Sequence, residues 1–276
     1  MNSVSRRLKT IVISHGVEVW QPLSHIRRAA LHRADLVLAP SRYTAQKLNE
    51  VQGLPDEKIR QLPWPLSPDF LALATDPTSL PLPHEFPQGR VILTVGRWVA
   101  SERYKGVDDL IFAVAQLRHK VPRLHLVAVG EGDDLPRLQA QAAKLGLNDA
   151  VHFLQGLSRK ELAACYARSD VFALPSTGEG FGLVFLEAMA FAKPVVAARA
   201  GGATDVVENE VNGLLVPAQD PEQLAHALAR LFLDDALRVD LGRRGLDKIH
   251  GQYSFKVFAS ELDAIVKELG LYDSGH

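Results

Sequence analysis

Ser176-Thr-Gly-Glu-Gly-Phe-Gly-Leu-Val-Phe-Leu-Glu187 joins a glycine-rich turn to an apolar run and carries two carboxylates, Glu179 and Glu187, with seven residues between them. The apolar Val171-Phe-Ala-Leu174 ahead of the turn reads as a buried strand. The run through Glu187-Ala-Met-Ala-Phe-Ala192 reads as a helix that Lys193-Pro194 stops, so the two carboxylates bracket the loop and the first two helical turns. A strand, a turn and a helix N-terminus bring unpaired backbone N–H groups and the positive end of a helix dipole to one place, which suits a phosphate. Gly180 and Gly182 carry no Cβ and let the backbone approach a ligand closely. Carboxylates do not ligate phosphate, so Glu179 and Glu187 call for polyhydroxyl or cationic partners. A phosphate cradle flanked by hydroxyl acceptors suits a nucleotide sugar.

With Gly-Phe-Gly inside that spacing, the segment resembles the E-x7-E motif of the retaining glycosyltransferases of family 4 (group 1), which have the GT-B fold of two Rossmann-like domains. The resemblance implies that Glu179 lies near the donor sugar and that Glu187 holds the ribose hydroxyls. Backbone groups of Gly180, Phe181, Gly182 and Leu183 would contact sugar and phosphate. Val95-Gly96-Arg97 and Lys105-Gly106 also fit the family, where this arginine and lysine clamp the donor diphosphate and offset the charge on the leaving nucleoside diphosphate. Such cations do the work of a Lewis acid, so neither metal nor cofactor is expected.

Gly130 of Gly130-Glu-Gly132 resembles the family's turn beside the nucleotide, and Leu154 of Leu154-Gln-Gly156 falls where the base pocket lies. Ser14-His15-Gly16-Val-Glu18 looks like the family's N-domain histidine segment, which puts His15 beside the anomeric centre, and Ala34-Asp35 and Pro40-Ser41 fit as well. A histidine at a strand end can donate a hydrogen bond or carry a proton near neutral pH. Asp133-Asp134 reads as a pair of capping and dipole partners at a helix start rather than as a metal site. Gly201 and Gly202 read as structural.

The elements that must position these residues alternate strand and helix, which predicts a parallel sheet covered on both faces. Residues 9–70 read as βαβαβ, opening with a short buried strand at Thr10–Ser14 and with Ser41 capping the second helix. Residues 66–89 are proline-rich without periodicity and read as a linker. From Arg90 the alternation runs through the motif to a helix at Glu222–Phe232, and Ser254 caps a final helix ending at Gly270. The expected fold is α/β and GT-B-like, with a partial acceptor-side Rossmann-like domain over 1–80 and a complete donor-binding domain over 88–250. A helix over 253–270 packs back on the first part, as the resemblance implies. The resemblance covers the whole chain, whereas the chain covers only the later part of the family pattern. A truncated fragment, one part of a split enzyme and a short form that dimerises all fit that length.

Composition is ordinarily globular, with 47% apolar and 23% charged residues over 276 positions and a formal net charge of −1. That balance gives no bulk attraction for nucleic acid. No apolar run reaches the ~18 residues that span a bilayer, and the N-terminus lacks a secretory pattern. The single cysteine, Cys165, reads as a small buried residue and excludes an intramolecular disulfide, which fits a cytoplasmic protein. The expectation is transfer of a hexosyl group from a nucleoside-diphosphate sugar to a hydroxyl of a glycan or lipid-linked acceptor, with retention. The alternative is a non-catalytic donor-binding subunit or fragment that needs a partner chain. A partner chain or homodimer covering the open sheet edge is consistent with either, as is peripheral membrane contact through the basic N-terminus. A GT-B epimerase or phosphorylase fits the motif less well.

Overall fold

The computed structural model describes residues 8–270. Its first unit comprises β1 (Ile11–Ile13), α1 (His25–Arg33), β2 (Leu36–Ala39), α2 (Arg42–Glu50) and β3 (Ile59–Gln61), with the strands parallel in the order β1-β2-β3. Central β2 is buried along its whole length, which explains its unbroken apolar sequence. Alternate residues serve opposite faces: Val37 and Ala39 pack with Leu31 and Leu48 of the two helices, while Leu36 and Leu38 face the other way. Ser41 caps α2 by accepting the Thr44 amide.

The second unit runs through α3 (Pro68–Leu73), β4 (Arg90–Val95), α4 (Val107–Leu117), β5 (Leu124–Val129), α5 (Leu135–Lys144), β6 (Val151–Leu154) and α6 (Arg159–Arg168). It continues through β7 (Val171–Leu174), α7 (Leu183–Ala190), β8 (Val195–Ala198), α8 (Ala203–Val206), β9 (Gly213–Val216), α9 (Pro221–Leu233) and α10 (Asp235–Gln252). Six parallel strands lie in the order β6-β5-β4-β7-β8-β9. The direction of winding reverses between β4 and β7, and such a switch point opens a crevice beyond the strands' C-terminal ends. One core lies under α4, α5 and α9, and the other under α3, α6, α7 and α10. α11 (Phe255–Glu268) then returns to the first unit, where Phe258, Leu262 and Ile265, at helical spacing, meet Leu36, Leu38 and Leu62. Arg60 and Glu268 pair across that contact at 2.6 Å.

Three local expectations are corrected, and one helix, α10, is added. β1 is not buried but is, among the described residues, an outer strand flanked on one side only, and Ile13 is 51% exposed. The proline-rich stretch is not a bare linker: it folds α3 and buries Leu66, Phe70 and Phe86 in the second unit's core. α10 carries Gly242, Gly245 and Gly251, which mask a helix in sequence. At 242 the reason is contact, because a Cβ there would run into the Ala192 carbonyl. Finally, Asp134 stands at the N-cap of α5 as expected, but its side chain makes no capping bond; it accepts from Arg103 and Arg137, while Asp133 accepts the Ala100 amide. Cys165 is buried, and desolvation pushes its thiol up to about 12.

His125 on β5 and His152 on β6 approach each other, Nδ1 to Nε2, at 3.1 Å. Burial lowers both imidazoles below their ordinary value, and for His152 the neighbouring His125 adds to the shift. Protons therefore bind the unfolded chain more tightly at these two positions. Stability is complete above the unfolded value of about 6.5 and is lost as pH falls from there through the lowered folded values. Thermal unfolding followed from pH 7.5 to 5 should show a falling midpoint, with a shallower slope in the double variant His125→Gln/His152→Gln. An unchanged slope in that variant would assign the loss to other groups.

Candidate active site

A cleft of about 950 Å³ lies between the two units, beyond the C-terminal ends of β4, β5 and β7. His15 and Trp64 line it from the first unit and the crossing that follows it. Gly96, Arg97 and Lys105 line it after β4, Gly130 and Glu131 after β5, and Gly156 and Leu157 after β6. Glu179 through Val184 complete the wall after β7. Ten of the residues singled out in sequence thus meet in one cavity: His15, Gly96, Arg97, Lys105, Gly130, Glu179, Gly180, Phe181, Gly182 and Leu183.

The turn that holds Glu179 is fixed from both units. The Gly202 amide donates to the Glu179 carbonyl at 2.7 Å, and the Ser41 hydroxyl donates to the Gly180 carbonyl at 2.7 Å. Gly16 meets Gly180 backbone to backbone, so a Cβ on Gly180 would be driven into the His15 carbonyl and one on Gly16 into the Gly180 α-carbon. Gly180 therefore answers to the approach of the first unit as well as lining the cleft. Arg42 pairs with Asp205 and ties α2 to α8 beside this contact.

The charged groups are compensated. Lys105 Nζ lies 3.0 Å from Glu179 Oε1 and 3.8 Å from Glu102 Oε2, and Glu102 also pairs with Arg97. The Lys105 and Glu179 side chains are 13% and 14% exposed, whereas Arg97 is largely in solvent. Burial raises the hydroxyl of neighbouring Tyr104, and the charges of Glu102 and Glu179 add to that. The His15 ring stacks on Trp64 at 5.4 Å and 21°, and its backbone amide donates to Glu18. Gly182 is the N-cap of α7, and its left-handed conformation turns the chain into the helix. Its first amides have no intrahelical acceptor, and Leu183 and Val184 line the cleft there.

Two expected residues stand elsewhere. The Leu154 side chain is buried in the core beneath α6, and Gly156 and Leu157 line the cleft in its place. Glu187 does not line the cleft; it sits within the second turn of α7, with Oε2 accepting the Tyr166 hydroxyl at 2.8 Å. The helix starts at Leu183, so Glu187 follows little more than one helical turn rather than two. Desolvation raises its carboxyl, while the Tyr166 hydroxyl and the field of Arg159 pull it back down. Sequence reasoning passed over Trp64, for which the only signal is an aromatic residue between prolines in Pro63-Trp-Pro65. It also passed over Glu102, which joins the two cations, and Glu131, which accepts the Gly156 amide at 3.1 Å.

The profile of the family described as "Glycosyl transferases group 1" matches residues 83–248. The chain belongs to that family. Over 187 residues it is 40% identical to the D-inositol 3-phosphate glycosyltransferase of Corynebacterium jeikeium, covering 65% of this chain and 44% of that protein. Over 268 residues it is 30% identical to the GDP-mannose-dependent alpha-(1-6)-phosphatidylinositol monomannoside mannosyltransferase of Mycobacterium tuberculosis, covering 92% of this chain and 68% of that one. The chain thus spans between about half and two-thirds of the length of these family members. The sucrose-phosphate synthase of Thermosynechococcus elongatus superimposes with a TM-score of 0.77 at 28% identity, over 95% of this chain and 68% of that one. The chain has the GT-B architecture of two parallel-sheet units around a cleft.

The glycine contact between the units is testable. Gly180→Ala should cost about 1–3 kcal/mol of stability in urea unfolding through overpacking. Gly251→Ala, where a Cβ in α10 meets nothing within 4 Å, should be neutral or gain about 0.5–1 kcal/mol. An unchanged midpoint for Gly180→Ala would show that the contact relaxes freely.

Proposed function

We propose that the chain binds a nucleoside-diphosphate sugar in this cleft and transfers its hexosyl group, with retention, to a hydroxyl of a glycan or lipid-linked acceptor. The carrying observation is the convergence of Arg97, Lys105 and the free amides at the start of α7 on one cavity that also holds Glu179 and His15. Two cations and a helix N-terminus suit a diphosphate, and the same groups favour the charge that grows on it as the glycosidic bond breaks. In this reading the charge is carried by the protein's own side chains, without metal or cofactor. Glu179 receives sugar hydroxyls, Glu187 the ribose, and His15, held by Trp64, sits beside the anomeric carbon. Gly130 and the Gly156–Leu157 turn flank the base. The family-4 assignment and the donor and acceptor classes rest on the same motif, and a cytoplasmic setting goes with a soluble nucleotide sugar.

A second reading, a donor-binding subunit that works with a partner chain, is favoured by the first unit. Among the described residues β1 has β2 as its sheet neighbour on one side only, and Ile26 on adjacent α1 is 84% exposed. Turnover of the donor by the purified chain alone separates the two readings.

Titration calorimetry with UDP, GDP and ADP tests the site directly. Lys105→Ala should weaken the preferred diphosphate by about 10- to 100-fold, as expected for a charge-assisted contact. Glu179→Gln releases Lys105 from its ion pair, so diphosphate affinity should hold or rise while turnover falls. Failure of all three diphosphates to bind, or equal binding by the lysine variant, would remove this reading.

A further inference from the structure

Tyr166 on α6 has a side chain built for one polar contact. It is fully buried, and its ring is held by Phe191 (stacked, 6.1 Å), Phe172 (5.7 Å) and Phe70 (edge-on, 6.0 Å). A ring gripped on three sides cannot swing, so its hydroxyl is a fixed donor. That hydroxyl meets Glu187 Oε2 at 2.8 Å, while the Val184 carbonyl stands off at 3.5 Å. Glu187 Oε1, by contrast, accepts no hydrogen bond from any described residue and is not sealed from solvent. Helical side chains lean toward the N-terminus of their helix, so Glu187 reaches back over the turn of Leu183 and Val184, which line the cleft.

We propose that Tyr166 is the positioning residue for Glu187: it pins Oε2 and thereby presents Oε1 to the ribose diol of the bound nucleotide. The inference rests on the reading of Glu187 as the ribose acceptor. An unpinned carboxylate on a flexible side chain spreads over several rotamers and loses part of its affinity in being ordered. One held by a buried phenol is ordered before the ligand arrives. Burial works against the charged form of Glu187, and the phenol's hydrogen bond works for it, so the same contact keeps Oε1 a strong acceptor.

The test measures affinity for UDP, GDP and ADP and for their 2′,3′-dideoxy counterparts, using the full chain, Tyr166→Phe, Glu187→Gln and the double variant. Wild type should prefer the nucleotide that carries the diol. Tyr166→Phe should lose about 3- to 10-fold of that preference, the worth of one hydrogen bond, with dideoxy affinity unchanged. That unchanged affinity also reports a folded site. Glu187→Gln should lose the preference too, and the double variant should lose no more than Glu187→Gln alone. If Tyr166→Phe keeps the full preference, or weakens both ligands equally, Tyr166 is a core residue only and the inference falls while the ribose reading stands. If Glu187→Gln keeps the preference, or wild type binds no nucleotide, the ribose reading falls and takes the inference with it.

Discussion

Gly16 and Gly180 press their backbones together at the joint between the two units, and neither has room for a side chain. His15 precedes one partner in this contact and Glu179 precedes the other, so the separation of these two groups across the cleft is set by main chain touching main chain. Backbone contact is a stiffer spacer than packed side chains, which can change rotamer. The Gly202 amide and the Ser41 hydroxyl hold the successive carbonyls of Glu179 and Gly180 and keep that turn from sliding. A sheet of three strands and a sheet of six thus contribute to one cavity, with main chain touching main chain at the centre of the joint.

Charge compensation follows from the same closeness. Lys105 and Glu179 are both mostly buried, and an unpaired charge at that depth is strongly disfavoured, so each stands as the other's counter-ion. Glu102 reaches from the 3₁₀ turn at Ala100–Lys105 to gather Arg97 toward the lysine. Aromatic packing does similar work on the other side of β7, where the rings around Tyr166 fix a single hydroxyl against Glu187.

Much of the fold was legible because buried parallel strands leave continuous apolar runs, and Leu36–Ala39, Val171–Leu174 and Val195–Ala198 are such runs. The cleft residues were legible as far as they follow strand ends in glycine-bearing turns. What stayed hidden depends on partners distant in sequence. α10 drew no reading at all, and only the structure shows Ala192 and Met189 packed against its Gly242 and Gly245. Phe70 and Leu66 lie among prolines, and only the second unit's core shows why they are apolar. Leu154 has the right position along its strand, yet strand alternation turns its side chain into the core. Trp64 gains its meaning from His15, some fifty residues earlier, and no local pattern announces that stack.

Among the described residues the polypeptide crosses between the units twice, once after β3 and once after α10, and the crossings lie side by side with the Leu66 amide donating to the Tyr253 carbonyl at 2.9 Å. Two adjacent tethers behave differently from one. A single strand would let the units twist, tilt and drift apart, whereas a hydrogen-bonded pair permits mainly bending about the line they define. A chain nicked at one crossing would still be held in register by the other.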